Sequence, residues 1–354
     1  MNTAFLRHGF SSAVLATALA VFLASPAVAR NQIRIVGSST VFPFSTVVAE
    51  FFGRTTDFRT PVVESTGTGG GFKLFCGGVG EDRPDFVNAS RAIKSSEIEN
   101  CTANDVTDIV EIQIGYDGIV LANSAAAPVL EISLGQLWLA LAKDIPDGLG
   151  ESRLKPNPNV RWSDIDSSLP NTKIYVMGPP PTSGTRDAFV ELAMEGGCAT
   201  IEWIAALKIS DKNRFKAICH SIREDGAFVE AGENDVLIIR KLEANPDAFG
   251  IFGFSFLDQN FDVIHGSSIG GNQPTFDNIA AGLYPVSRPL FMYAKAAHAD
   301  LVPGFVEFIR EFTEERTWGL DGYLSDRGLI PLPDFERGVV RDMARSLVSM
   351  TPED

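Results

Sequence analysis

The stretch Gly37-Ser38-Ser39-Thr40-Val41-Phe42-Pro43-Phe44 (GSSTVFPF) decides how this chain is read. The apolar run IRIV (33–36) leads into it, and the amphipathic segment STVVAEFFGR (45–54) follows. Phe44, Val47, Val48, Phe51 and Phe52 recur at helical spacing, so a strand passes into a helix through three consecutive hydroxyl residues. One hydroxyl is enough to cap a helix. Three of them, beside first-turn N–H groups that have no intrahelical acceptor, also make a seat for an anion. Pro43 suits the first helical turn, where its missing N–H costs nothing.

The same unit recurs along the chain. PVVES (61–65) runs into TGTGGG (66–71) and FKLF (72–75). DFVNAS (85–90) runs into RAIKSSEIE (91–99), where Ser96 and Glu99 have capping-box spacing. IVEIQI (109–114) precedes GYDGIVLANS (115–124), read as a second strand, and KIYVMG (173–178) leads through PPPTSGT to the helical RDAFVELAM (186–194). FGIFGF (249–254) and RPLFMYAK (288–295) read as strands, whereas 301–315 and 335–347 read as helices. Residues 146–167 are rich in Pro, Asp, Asn and Ser, and read as surface loops. The alternation predicts an α/β fold with helices flanking mixed sheets.

Four strand-to-helix turns, SST, TGTGGG, SR and TSGTR, carry small residues, hydroxyls or an arginine. Ligands of open α/β sheets sit beyond the carboxyl ends of strands, at such turns. In TSGTR, Ser183 and Thr185 offer hydroxyls, Gly184 allows close backbone approach, and Arg186 offers a two-pronged charged contact. GTGGGFK is no Walker A motif, because no GK[ST] follows at the required spacing. Arg91 directly follows a strand; it either pairs with Glu97 or offers its guanidinium to an oxyanion.

Composition narrows the class. Arg7, the apolar run 13–23 and the small residues before Arg30 predict a secretory signal over 1–29, too short to span a bilayer. The remaining length calls for two domains, and the product is expected in the periplasm. A net charge of −15 without a basic stripe argues against nucleic acid, yet leaves a small anion free to respond to local donors. The four cysteines in an exported chain predict the local disulfides Cys76–Cys101 and Cys198–Cys219. Zinc is disfavoured, since there is no C-x-x-C pair and the four histidines are scattered. Neither GxSxG nor HExxH occurs, so no enzyme, cofactor or metal is expected.

GSSTVFPF, STGTGGGFKLFC, NASRAIKSSEIENC, GYDGIVLANS, TSGTRDAF and FGIFGF…RPLFMYAK, in this order, resemble the periplasmic phosphate-binding proteins of Pst-type ABC transporters. The resemblance implies a two-lobed type II periplasmic binding protein that binds inorganic phosphate in the interlobe cleft. It would be monomeric and would deliver phosphate to a membrane ABC permease. The lobes would comprise 30–122 with 253–354, and 123–252. The implied ligands are Ser39, Thr40, Val41, Thr68, Gly69, Arg91, Ser183, Gly184 and Thr185, with Arg186 as an added charge. Arg91 stands where well-known members carry a carboxylate, and GPPP stands where an arginine precedes their S-G-T turn. The carboxylate must then come from elsewhere: Asp117 first, then Asp235 or Asp187. The alternatives are a receptor for sulfate or molybdate, and a secreted phosphatase on the same fold.

Overall fold

The computed structural model describes residues 1, 30–148, 152–181, 183–232 and 235–351. The expected signal segment therefore lies outside the described residues, apart from Met1. Among the described residues no helix is long and apolar enough to cross a membrane.

Strand β1 (Arg34–Gly37) and helix α1 (Phe42–Thr55) flank the opening motif, with proline in the first helical turn as expected. Phe44, Val48 and Phe52 bury one face of α1, and the Phe52 ring meets Phe308 edge-on at 5.5 Å. Each such buried side chain contributes on the order of 2 kcal/mol. Strand β2 (Val62–Ser65) then leads to α2 (Thr68–Phe75), and β3 (Phe86–Ala89) to α3 (Ser95–Ala103). The helix α2 begins inside the glycine run rather than after it. The capping of α3 differs from the Ser96–Glu99 expectation: Glu97 accepts the Lys94 N–H at 2.9 Å, which sets the start two residues earlier.

A single strand, β4 (Ile109–Ser124), replaces the two expected there. Gly115 does not break it because, at φ 148°, it absorbs a bulge opposite Leu290/Phe291. A side chain at Gly115 would put its Cβ 2.4 Å from the carbonyl oxygen of Ile330. Strands β5 (Val176–Gly178), β6 (Phe228–Glu230), β7 (Phe249–Gly253), β8 (Ile264–Gly266) and β9 (Ser287–Lys295) complete a nine-stranded sheet. Its order is β2-β1-β3-β9-β4-β7-β5-β6, with β8 also paired to β4.

The long β4 joins the two halves. Ile109–Gly118 pairs antiparallel with β9, and Ile119–Asn123 pairs antiparallel with β7. Apolar side chains from 33–114 and most of those from 290–344 pack around the first half, whereas those from 116–286, with Ile330 and Leu332, pack around the second. Residues 254–286, assigned to lobe one from the sequence, pack with the second half. The reason is pairing: β8 extends the far end of β4 at Ala122–Ser124, and Ser268–Ile269 runs parallel to Glu131–Ile132. The chain returns to the first half only at β9. Part of the expected surface loop is also ordered, as Asp144–Pro146 pairs with Leu154–Pro156.

Both expected disulfides, Cys76–Cys101 and Cys198–Cys219, are present. Cys198–Cys219 closes a loop with a sequence separation of 21. Replacing both cysteines by serine should lower the unfolding free energy by about 3 kcal/mol in a urea titration; an unchanged midpoint would contradict this.

One close approach controls the site end of the first lobe. A Cβ on Gly71 would lie 2.5 Å from the Cα of Gly37, so α2 packs backbone-to-backbone on β1. Gly37 itself has φ 129° and abuts the carbonyl of Asn88. Gly71→Ala should destabilise the fold by about 1–3 kcal/mol through overpacking; wild-type stability in the same titration would show that α2 can yield.

Candidate anion-binding site

Because α2 lies so close to β1, the turns opening α1 and α2 end up side by side. The turn before α1 is pinned from β3: Ser38 N–H donates to the Asn88 carbonyl at 2.9 Å, and Ser45 Oγ donates to Asn88 Oδ1 at 3.0 Å. The Val41 N–H is turned to Ser38 Oγ at 3.4 Å. Among the described residues, the N–H groups of Ser39 and Thr40 have no acceptor. Thr68 Oγ1 accepts the Ser90 N–H and lies 3.2 Å from Ser90 Oγ, which draws the end of β3 into the same group.

The second half contributes its own turn. Helix α4 (Gly184–Phe189) continues through Val190–Met194, which is wound as a π-helix, to Cys198. A Cβ on Gly184 would lie 3.8 Å from the carbonyl oxygen of Ser39, so this turn faces the first one directly. Ser183, at the N-cap, makes no capping bond with its side chain. Thr182, at the start of that motif, lies outside the described residues.

Beside the first-half turns is a cavity of 710 Å³, which Val41, Ser183, Gly184 and Thr185 do not line. Its walls include Ser38, Ser39, Thr40, Thr68, Gly69, Ser90 and Arg91 from one side, and Glu191, Glu195, Lys208, Lys212 and Lys216 from the other. Arg288 and Pro289 complete it. The three lysines belong to α5 (Glu202–Ser210) and α6 (Lys212–Cys219). Donors from several helix starts thus face one space under a rim of ammonium groups.

The arginine at the centre is Arg288, which was missed from the sequence. It opens the run SRPLFMYAK, and an arginine at a strand end was the only local signal. Its side chain is 9% exposed. Nη2 donates to Thr40 Oγ1 at 2.6 Å, Nη1 to Glu191 Oε2 at 2.6 Å, and Nε to Asp117 Oδ2 at 3.4 Å. Asp117 is placed there by register, since it sits directly opposite Arg288 across the β4–β9 ladder. Burial pushes the Asp117 carboxyl above its usual range, while Arg288 pulls it back toward the charged form. Asp117 does not itself line the cavity.

Other expected residues are placed differently. The Arg91 guanidinium is held by Glu97 through paired bonds of 2.8 and 2.7 Å, which is the ion pair weighed in the sequence. Glu97 is held below its usual range by that pairing and the Lys94 N–H, although burial opposes the shift. Arg186 stacks 4.5 Å over the Phe228 ring, donates to the Pro179 carbonyl at 3.1 Å, and lines a neighbouring cavity with Asp187 and His220. Burial lowers the Arg186 pKa and raises that of Asp187, where the charge of Glu191 adds to the effect. Asp235 begins a helix (Asp235–Ala244), and its side chain lies outside the described residues. Among the described residues no cluster of His, Cys, Asp and Glu could hold a metal ion.

Comparison with known proteins places this arrangement. The PBP superfamily domain matches residues 24–312. Protein SphX of Synechococcus elongatus is 28% identical over 306 residues, covering 84% of this chain and 76% of the relative. The phosphate-binding protein PstS of Staphylococcus haemolyticus is 30% identical over 284 residues, covering 78% of this chain and 75% of the relative. Among solved structures, that of a "possible phosphate binding protein" from Planctomyces limnophilus superposes with a TM-score of 0.70 at 25% identity. The match covers 90% of this chain and 99% of that one. An ABC-type phosphate transport receptor from Vibrio cholerae shares the fold, with a TM-score of 0.55 at 20% identity. The chain is two-lobed in the manner of these proteins, and it belongs to the PBP superfamily and to the Pst-type phosphate-binding proteins within it.

Proposed function

We propose that this chain is an exported receptor that captures inorganic phosphate between its lobes and delivers it to a membrane ABC permease. The observation that carries this reading is one cavity lined by the hydroxyl-bearing turns at Ser38–Thr40, Thr68 and Ser90, by Arg288 and by second-half side chains, with the Gly184 turn against Ser39. We place the lobes at 30–118 with 287–351, and at 119–286, following the packing of the two halves. Ser39, Thr40, Thr68, Gly69, Ser183, Gly184 and Thr185 would supply neutral donors, and Arg288 the positive fork. In this scheme Arg91 forms a wall of the cleft and Arg186 supports the second-lobe turn. Binding is favoured over hydrolysis by the roles of the hydroxyls: Thr40 is bonded to Arg288 and Thr68 to Ser90, and neither is held by a base that could activate it.

The arginine assignment separates two accounts. Arg288→Lys should weaken phosphate binding by about 2 kcal/mol or more in calorimetry, because a lysine's single nitrogen cannot reproduce the separated, planar donors of the guanidinium. Arg91→Ala should cost less than that. The reverse ranking would return the ligand's charge to Arg91.

Selectivity is assigned to Asp117. Near neutral pH phosphate keeps a proton and sulfate has none, so a buried carboxylate can accept from the first and only repels the second. Asp117 is the buried carboxylate sharing Arg288, and this role requires the lobes to bring the anion against it. Asp117→Asn should raise sulfate affinity relative to phosphate, measured by competition. Sulfate still excluded would clear Asp117 of the role; wild-type protein taking sulfate or molybdate as readily as phosphate would defeat the phosphate reading.

A further inference from the structure

Arg288 is a single positive charge with two carboxylates on it, and the second of these is Glu191. Unlike Asp117, Glu191 comes from the other half of the molecule, and its side chain is 51% exposed. It lines both the anion cavity and the neighbouring one. Its backbone lies in Val190–Met194, the π-wound turns that interrupt the helix running from the second-lobe turn. Such turns insert an extra residue and re-aim the side chains beyond them, and they recur at functional sites. Here the neighbours Val190, Ala193 and Met194 stay buried, while Glu191 reaches 2.6 Å from Arg288 Nη1.

We propose that Glu191 is a tethered stand-in for the ligand, holding the edge of Arg288 that an incoming oxyanion must take. This rests on the reading of the cavity as an oxyanion site. An anion seated among Ser39, Thr40 and Thr68 meets Arg288 on the side of Thr40, and its second prong, Nη1, is in the grip of Glu191. With Asp117 charged as well, the incoming anion would face two carboxylates against one guanidinium. Glu191 therefore has to leave as the anion arrives. It has a place to go: Lys208, Lys212 and Lys216 line the same cavity and are exposed. Asp117, by contrast, is buried on the β4–β9 ladder and stays. Binding then exchanges one ion pair for another, and the exchange sets the affinity below what the donors alone would give.

The prediction runs opposite to that for a ligand residue. If Glu191 holds the arginine in about nine of ten molecules, removing its charge raises apparent affinity roughly tenfold. Phosphate titrated calorimetrically into wild type and Glu191→Gln should show that gain. The gain should shrink between about 0.02 and 0.5 M salt, where screening weakens an exposed pair. A purely structural glutamate would not produce a salt-dependent gain, and thermal melts of both proteins would confirm equal folding. Affinity unchanged or lowered by Glu191→Gln would overturn the proposal. A lowered phosphate affinity with new sulfate binding would instead make Glu191 the proton acceptor. If the wild type ignores phosphate but Glu191→Gln improves sulfate or molybdate binding, the stand-in role holds and the phosphate reading falls. If neither protein binds any of the three ions, both fail.

Discussion

A guanidinium that is nearly buried must be matched on every edge, and this requirement organises the site. Arg288 sits where the first-lobe turn, the strand shared by both lobes and the second-lobe helix come within reach of one side chain. Thr40, Asp117 and Glu191 answer its three donor directions, and each belongs to a different one of those parts. Removing Thr40 or Asp117 leaves a donor of a desolvated charge unmet, which costs more than the bond was worth. The tight packing of α2 on β1 serves the same end, since it brings the glycine turn beside Thr40 and leaves one cavity instead of two separate helix starts.

The polarity of the molecule fits this division of labour. Its net charge is −15, yet the cavity gathers Arg288, Lys208, Lys212 and Lys216 together with helix-start N–H groups. Long-range repulsion from a carboxylate-rich surface is screened within about 10 Å at ordinary salt. The last steps of anion entry are therefore governed by the rim and the turns, where positive potential is concentrated. Glu191 and Glu195 interrupt that potential at the wall, so the local balance near the anion is finer than the lysine rim alone suggests.

Much of this was legible in the sequence because it is local. GSSTVFPF shows its strand, its turn and its proline-started helix within eight letters, and the glycine and S-G-T turns announce themselves in the same way. The disulfides followed from cysteine count and proximity. Arg288 was not legible, because its partners lie 97, 171 and 248 residues away and only the tertiary fold brings them together. Arg91 read as a ligand, with an ion pair to Glu97 as the alternative, and in the fold that glutamate six residues on holds it. Gly115 read as a break between strands; its positive φ instead lets one strand bulge and continue. Residues 254–286, expected with the first lobe, include β8 and Ser268–Ile269, which pair with the second half, a choice made by tertiary contacts and not by local pattern.

The central claim is that one oxyanion is held jointly by the turns of both lobes and by Arg288. A crystal structure of the chain grown with phosphate tests it most directly. The account predicts a single phosphate touching Ser39 or Thr40, Thr68, the Ser183–Thr185 turn and the Arg288 guanidinium, with Glu191 displaced from Nη1. Phosphate bound on Arg91 with Arg288 still paired to Glu191, or bound to one lobe alone, would contradict it.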